Sequence, residues 1–225
     1  VHVTLLREQA QTCLEDGGRK ILVAGQSPQR TLFYDLADIL SPGDVRGEKA
    51  REDLDYPPSL YFHWVKIMNR TTPGYPSNCS IDYDSFMPEM AKFVEKHSTS
   101  PEDLLVIQAG ILDIFHGTLD TYYANLPKLA ALLSDFVKSR RIRVLFRIGD
   151  ALHLPRSGDL AIVEHGFRSQ RMHAAMQRAR QVMLHARVPV LDTLSLTEAR
   201  PEGTADGFHF NEFSSTERWY HGNVL

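Results

Sequence analysis

The segment KILVAGQSPQR, residues 20–30, decides the fold because it joins a short apolar run to a helix through a Gly-Gln-Ser turn. Residues 20–24 are apolar and rich in branched side chains, which predicts a buried strand. Residues 29–40 show helical periodicity, and Pro28 suits the first turn of a helix because its missing N–H is not needed there. A strand followed at once by a helix is the opening of an α/β unit.

The same alternation of strand and helix continues along the chain. Apolar runs predict further strands at 59–67, 103–109, 142–148 and 188–194. Helical patterns fall at 4–16, 84–97, 120–139, 158–187 and the last dozen residues, and loops or irregular segments are expected at 41–58, 69–81 and 195–210. Because the strands are continuous rather than alternating apolar runs, we expect one doubly wound α/β sandwich with a parallel sheet of about five strands.

Residues 1–225 show no internal repeat or boundary, which favours a single domain. The chain starts without Met and stops abruptly, so we expect it to be a domain excised from a larger protein. No apolar run approaches the about 18 residues that span a bilayer, and membrane contact is expected only through segments outside this chain. The oligomeric state is left open.

Charge and motif content exclude several classes of function. The net charge is −3 and no polybasic tract occurs, which argues against nucleic acid as a partner. The Arg- and Met-rich pattern at 167–187 is interpreted as a solvated helix face. The histidines and cysteines lack metal-ligand spacing and no G-x-G-x-x-G follows the first strand, so we expect neither a metal site nor a tightly bound cofactor.

Two N-x-[ST] sequons, at Asn69 and Asn78, lie in a polar segment rich in Pro and Gly, which suits glycosylation of a surface loop. Cys13 and Cys79 could form one disulfide or remain two buried thiols. Together these features favour a lumenal or extracellular protein.

The ends of the predicted strands are where chemistry is expected, because open α/β sheets bind ligands there. Ser27 follows the first strand, and Asp206 and His209 follow the last strand within Asp-Gly-Phe-His. A serine nucleophile needs a base, and the base needs a group that orients its other nitrogen. Ser27 could instead be a helix N-cap, and Asp-Gly a simple turn.

The sequence resembles the PC-esterase clan of the GDSL/SGNH hydrolases. Cys13 with the segment at 20–30 resembles the first block of that clan, DLLVIQAGILDIF at 103–115 its third block, and the segment at 191–210 its last. The resemblance implies a flavodoxin-like three-layer sandwich, an acyl-serine intermediate, and a glycan hydroxyl or ester as substrate. Related members include the lumenal domains of sialic-acid O-acetyltransferases and the fungal capsule polysaccharide O-acetyltransferases.

By this match Ser27 is the nucleophile, His209 the general base and Asp206 the carboxylate that orients it. The chain departs from the family pattern at two positions: Gln26 stands where the family has Asp, and Leu112 where it has a polar residue. A leucine cannot donate to an oxyanion, and loss of one such donor costs about 10²–10³ in rate.

Oxyanion donation would therefore fall to the backbone N–H groups of Ser27 and Gly110. Asp113 could accept N–H bonds from the Ser27 loop. Arg30, one turn into the first helix, could face the cleft, and Arg147 and His153 could line it from the end of the fourth strand.

We therefore expect a glycan O-acetyltransferase of the secretory pathway, for instance of the Golgi, with carbohydrate as its substrate and an acetyl donor as its co-substrate. A glycan O-acetylesterase or another esterase or lipase of the same fold is the first alternative. A catalytically impaired binding domain, motivated by Gln26 and Leu112, is the second.

Overall fold

The computed structural model describes residues 17–40, 54–56, 59–65, 67–68, 80–116, 119–151 and 169–199, together with positions 9, 12 and 14. The strands in these segments are β1 (Ile21–Gly25), β2 (Leu54–Tyr56), β3 (Leu60–Trp64), β4 (Ile67–Met68), β5 (Ser80–Ile81), β6 (Leu104–Ile107), β7 (Arg143–Ile148) and β8 (Val190–Asp192). The helices are α1 (Ser27–Leu40), α2 (Tyr83–His97), α3 (Ile111–His116), α4 (Leu119–Lys138), α5 (Ser169–His185) and α6 (Thr193–Glu198). Within these segments, no helix is both long and apolar enough to cross a membrane.

Six strands form one sheet in the order β2-β3-β1-β6-β7-β8. The strands β3, β1, β6, β7 and β8 are parallel, which confirms the predicted parallel sheet. β2 pairs antiparallel with β3 at one edge. The chain runs outward from β1 to β3 and then crosses to β6 on the other side, so the strand order reverses between β1 and β6.

Helices cover both faces of the sheet, which confirms the three-layer sandwich. Successive side chains of β1 point to opposite faces, as in any strand. Leu22 and Ala24 belong to the larger core cluster, which includes side chains of α2, α4 and α5. Val23 belongs to the smaller cluster, where Phe33 and Ala37 of α1 pack on the other face.

The predicted strand at 59–67 is shorter in the structure and ends at Trp64. Ile67–Met68 instead pairs with Ser80–Ile81 in a separate two-stranded ribbon, although Ser80 and Ile81 were predicted to lie in the loop at 69–81. β2 lies in the segment 41–58, which was also predicted to be a loop. These elements have only two or three residues each, too few to show a hydrophobic period.

Two short helices were not predicted. α3 follows β6, and α6 takes over the end of the strand predicted at 188–194. Asp192 ends β8 and caps α6, since its carboxylate accepts a hydrogen bond from the backbone N–H of Ser195 at 3.2 Å. This local cap competes with strand pairing and ends β8 early.

A buried carboxylate fixes the amino-terminal edge of the sheet. Asp103 is fully buried and precedes β6. It accepts hydrogen bonds from the backbone N–H groups of Lys20, Thr99 and Ser100 at 2.8–2.9 Å and from the hydroxyl of Ser98 at 3.2 Å. Asp103 therefore joins the start of β1 to the loop that leads into β6.

Candidate active site

The candidate site lies where the strand order reverses. The carboxyl ends of β1 and β6 are neighbours there, because Ala24 pairs with Ile107. Open α/β sheets bind ligands in the crevice at such a switch point. Ser27 follows β1 and Gly110 follows β6, so the structure places these two candidates after adjacent strand ends.

Ser27 lies inside the first turn of α1 and not at its N-cap. The carbonyl of Gln26 accepts the first helical hydrogen bonds, from the N–H groups of Gln29 and Arg30, each at 2.9 Å. Gln26 is therefore the residue at the N-cap, and Ser27 is half-buried directly after it. The common structural use of a strand-end serine as a cap does not account for Ser27.

The same hydrogen bonds decide which backbone donors of this turn could serve an oxyanion. The N–H groups of Gln29 and Arg30 are directed to Gln26, and Pro28 has no N–H. The donor that the sequence proposed from this turn is the N–H of Ser27. The carbonyl of Ser27 accepts from the hydroxyl of Thr31 at 3.1 Å, which helps to hold the turn.

The predicted base and its carboxylate cannot be placed from the structure. Positions that lie outside the described residues include Asp206, His209, His153, Asn69, Asn78, Cys13 and Cys79, and the same holds for the side chain of Leu112. Their predicted functions stay predictions.

Gly110 has a backbone that other residues could not adopt without cost. Its φ is +97°, and a Cβ placed there would lie 2.0 Å from a ring carbon of Tyr122. Its carbonyl accepts from the N–H of Ile114 at 3.0 Å and so begins α3. Tyr122 is fully buried, and burial raises the pKa of its hydroxyl, so the ring that packs on Gly110 stays neutral.

Asp113 accepts hydrogen bonds from groups other than the Ser27 loop that was expected. Its carboxylate accepts from the N–H of Ile81 at 2.9 Å and from the hydroxyl of Tyr83 at 3.0 Å. Among the described residues it therefore holds β5 and the start of α2, and not the Ser27 loop. Asp113 is fully buried, and burial raises its pKa from 3.8 to about 6 against the opposing effect of these hydrogen bonds.

Arg30 lies beside the turn that carries Ser27. Its guanidinium carbon is 5.4 Å from the centre of the Trp64 ring, within the range of a cation–π contact. Trp64 ends β3 and is paired in register with Gly25 at the end of β1. A cation and an aromatic ring thus flank the strand end that precedes Ser27.

Arg147 is nine-tenths buried and touches the same turn from β7. Its Nη2 lies 2.8 and 2.6 Å from the two carboxylate oxygens of Asp150. Its Nη1 donates to the carbonyl of Pro28 at 3.2 Å and to Oε1 of Gln29 at 3.1 Å. Sequence reasoning proposed Arg147 and the strand end Gly149-Asp150 for this edge, but it gave Asp150 no partner and did not single out Gln29, which carries no motif signal in the first helix.

Two further glutamines make the interior of this edge polar. Gln26 and Gln108 are each 2% exposed, and their side-chain amide atoms have no hydrogen-bond partner within the described segments. The amide of Gln108 lies over Gly149, where a Cβ would come within 3.1 Å of its nitrogen. In the same segments, no group of three or more His, Cys, Asp or Glu residues could hold a metal ion.

Solved structures with a similar fold include two bacterial proteins. A proposed acylhydrolase from Bacteroides fragilis superimposes with a TM-score of 0.54 and 14% identity, over 86% of this chain and 79% of that one. A proposed SGNH hydrolase from Slackia heliotrinireducens gives 0.51 and 16%, over 85% of this chain and 90% of that one. No protein-family model matches the sequence, and no curated protein does. The chain therefore shares the α/β fold of these proteins, as the sequence predicted, and the likeness extends to the fold alone.

Proposed function

We propose that this protein transfers acyl groups through Ser27 by the two-step chemistry of serine esterases. The observation that carries the proposal is the position of Ser27. It occupies the first helical turn after β1, at the switch point of the sheet, with Gln26 in the N-cap position that would otherwise explain a serine there. A hydroxyl so placed can be approached by a substrate in the crevice between the ends of β1 and β6.

In the first step, Oγ of Ser27 attacks the carbonyl carbon of an ester. Its proton passes to the imidazole of His209, which Asp206 orients, and then to the alcohol that leaves as the ester C–O bond breaks. In the second step, water or another hydroxyl gives its proton to His209 and attacks the acyl-serine. The acyl group is thereby released or passed on, and Ser27 recovers its proton.

The developing oxyanion would be stabilised by backbone N–H groups. Ser27 is the donor from the first turn of α1, and Gly110 is the donor proposed from the end of β6. The positive end of the α1 dipole adds to the same stabilisation.

The finer proposal is that the acyl group is acetyl and the acceptor a carbohydrate hydroxyl, in the lumen of the secretory pathway or outside the cell. Its support is the sequence resemblance given above. Within the described segments, the large apolar side chains that are mostly exposed are Leu184 and Leu196, on α5 and α6. The strand end beside Ser27 instead carries Arg30 and Trp64, which suit a polar ligand better than a lipid chain.

The test is turnover of an activated acetyl ester by the purified protein. Wild type is expected to release the chromogenic alcohol, Ser27→Ala to release it only at the rate of the buffer, and Ser139→Ala, which alters an exposed serine at the end of α4, to match wild type. Addition of free glycans then separates transfer from hydrolysis, because a transferase yields acetylated sugar. Equal turnover by Ser27→Ala and wild type, or none by folded wild type, would overturn the proposal.

A further inference from the structure

We infer that Arg147, held by Asp150, is a positioning residue for the nucleophile, and this inference rests on the proposed function of Ser27. The buried guanidinium reaches from β7 to the first turn of α1, across 119 positions of sequence to Pro28. Among the described residues, the side chain of Arg147 links this turn to the carboxyl end of β7.

The guanidinium reaches the turn through two acceptors, both on residues that follow Ser27. Nη1 donates to the carbonyl of Pro28, the residue that follows Ser27. It also donates to Oε1 of Gln29, which is fully buried. The side chain of Gln29 lies against Gly25 on the other side of Ser27, where an added Cβ would come within 2.4 Å of its Cγ. Arg147 therefore holds the chain that follows the nucleophile directly, and the Gln29 side chain that it also holds packs against the chain that precedes the nucleophile.

The arrangement of charges indicates that the Arg147–Asp150 pair orients the turn rather than stabilises the fold. A cation is unfavourable beside the N-terminal turn of a helix, whose dipole is positive there. Asp150 neutralises it, but a buried ion pair is on balance no better for stability than an apolar pair of the same volume. What an apolar pair cannot do is hydrogen-bond several acceptors at once, as the guanidinium does with the Asp150 carboxylate, the Pro28 carbonyl and the Gln29 amide.

The experiment measures the second-order rate at which a fluorophosphonate probe labels Ser27. Arg147→Met combined with Asp150→Leu removes both charges at similar volume, so the fold is expected to survive. Gln29→Met removes one of the two contacts and leaves the ion pair in place. We expect the double variant to label at least about 10-fold more slowly than wild type, since small misplacement of a reacting group costs up to about 10²-fold. Gln29→Met should fall between the two.

The matched control is Arg143→Met, on the same strand. Its guanidinium is exposed and lies 3.7 Å from Glu102, so labelling at the wild-type rate is expected. A titration of the probe concentration should show a lower maximal labelling rate for the double variant at an unchanged half-saturating concentration, because misplacement of Oγ affects reaction and not binding.

The outcomes separate the two claims. Slower labelling of a folded double variant and of Gln29→Met supports the inference. Labelling of either variant at the wild-type rate overturns the inference and leaves the proposed function of Ser27 intact. Should the double variant fail to fold, the labelling rate of Gln29→Met is the deciding measurement. Absence of labelling in wild type overturns the proposed function, and the inference with it.

Discussion

Replacement of Gly110 by alanine is expected to cost about 1–4.5 kcal/mol of unfolding free energy. Two separate penalties add. The first is backbone strain, because φ of +97° lies where an L-residue with a Cβ pays about 1–2 kcal/mol. The second is overpacking, because the new methyl would lie 2.0 Å from the ring of the fully buried Tyr122, at about 1–3 kcal/mol. Alanine also restricts the unfolded chain, which returns about 0.4–1 kcal/mol.

Two other glycines separate these penalties. Gly18 has φ of +55°, and no atom of the described residues lies within 4 Å of an added Cβ, so Gly18→Ala should show the strain alone. Gly149 has no positive φ, and its added Cβ would meet the flexible ends of Gln108 and Met176 at 3.1 Å, so Gly149→Ala should show mild crowding alone.

The assay is urea unfolding followed by circular dichroism, with Tyr122→Leu as a second background. In that background the cost of Gly110→Ala should shrink, since the ring that blocks the methyl is gone. If Gly110→Ala costs no more than Gly18→Ala, or if its cost is the same with and without the Tyr122 ring, the close packing at the end of β6 has been described wrongly.

Two further predictions concern buried carboxylates. Because burial raises the pKa of Asp113 from 3.8 to about 6, the folded protein keeps a proton that the unfolded chain has lost at intermediate pH. The stability that Asp113 contributes is full below about pH 4 and falls by about 3 kcal/mol as the pH rises through 6. Urea titrations at pH 4 and pH 7 should therefore show a smaller loss of stability for Asp113→Asn than for wild type. An equal loss of stability in the two proteins would contradict this prediction. Asp103→Ala leaves three backbone N–H groups at the amino-terminal edge without their acceptor and should cost about 3 kcal/mol or more. The exposed neighbour Glu102→Ala should cost under about 1 kcal/mol, and similar costs for the two variants would show that Asp103 does not hold this edge.

The parallel sheet and the place of Ser27 could be predicted because each rests on a local pattern. The apolar run at 20–24 and the helical period at 29–40 define a strand-to-helix junction without reference to the rest of the chain. β2, in contrast, is a three-residue edge strand that forms because β3 offers it a partner, and a pattern of that length carries no signal.

The partners within the candidate site could not be predicted. The sequence shows an arginine within IRVLFRI, and strand alternation separates Arg147 from its neighbours Phe146 and Ile148. Nothing in the sequence says that its guanidinium reaches Pro28 across the sheet, since that contact depends on the order of the strands. Likewise a serine before a proline can cap a helix or lie inside it, and only the hydrogen bonds of Gln26 distinguish the two.

Whether Ser27 carries the acyl group is tested most directly by the mass of the protein after brief exposure to an activated acetyl ester and an acid quench. Digestion and fragmentation then locate the adduct. We expect one acetyl group per chain, on the peptide that contains Ser27, and none on Ser27→Ala. A folded wild-type protein that gains no acetyl group, or an adduct that persists in Ser27→Ala, would contradict it.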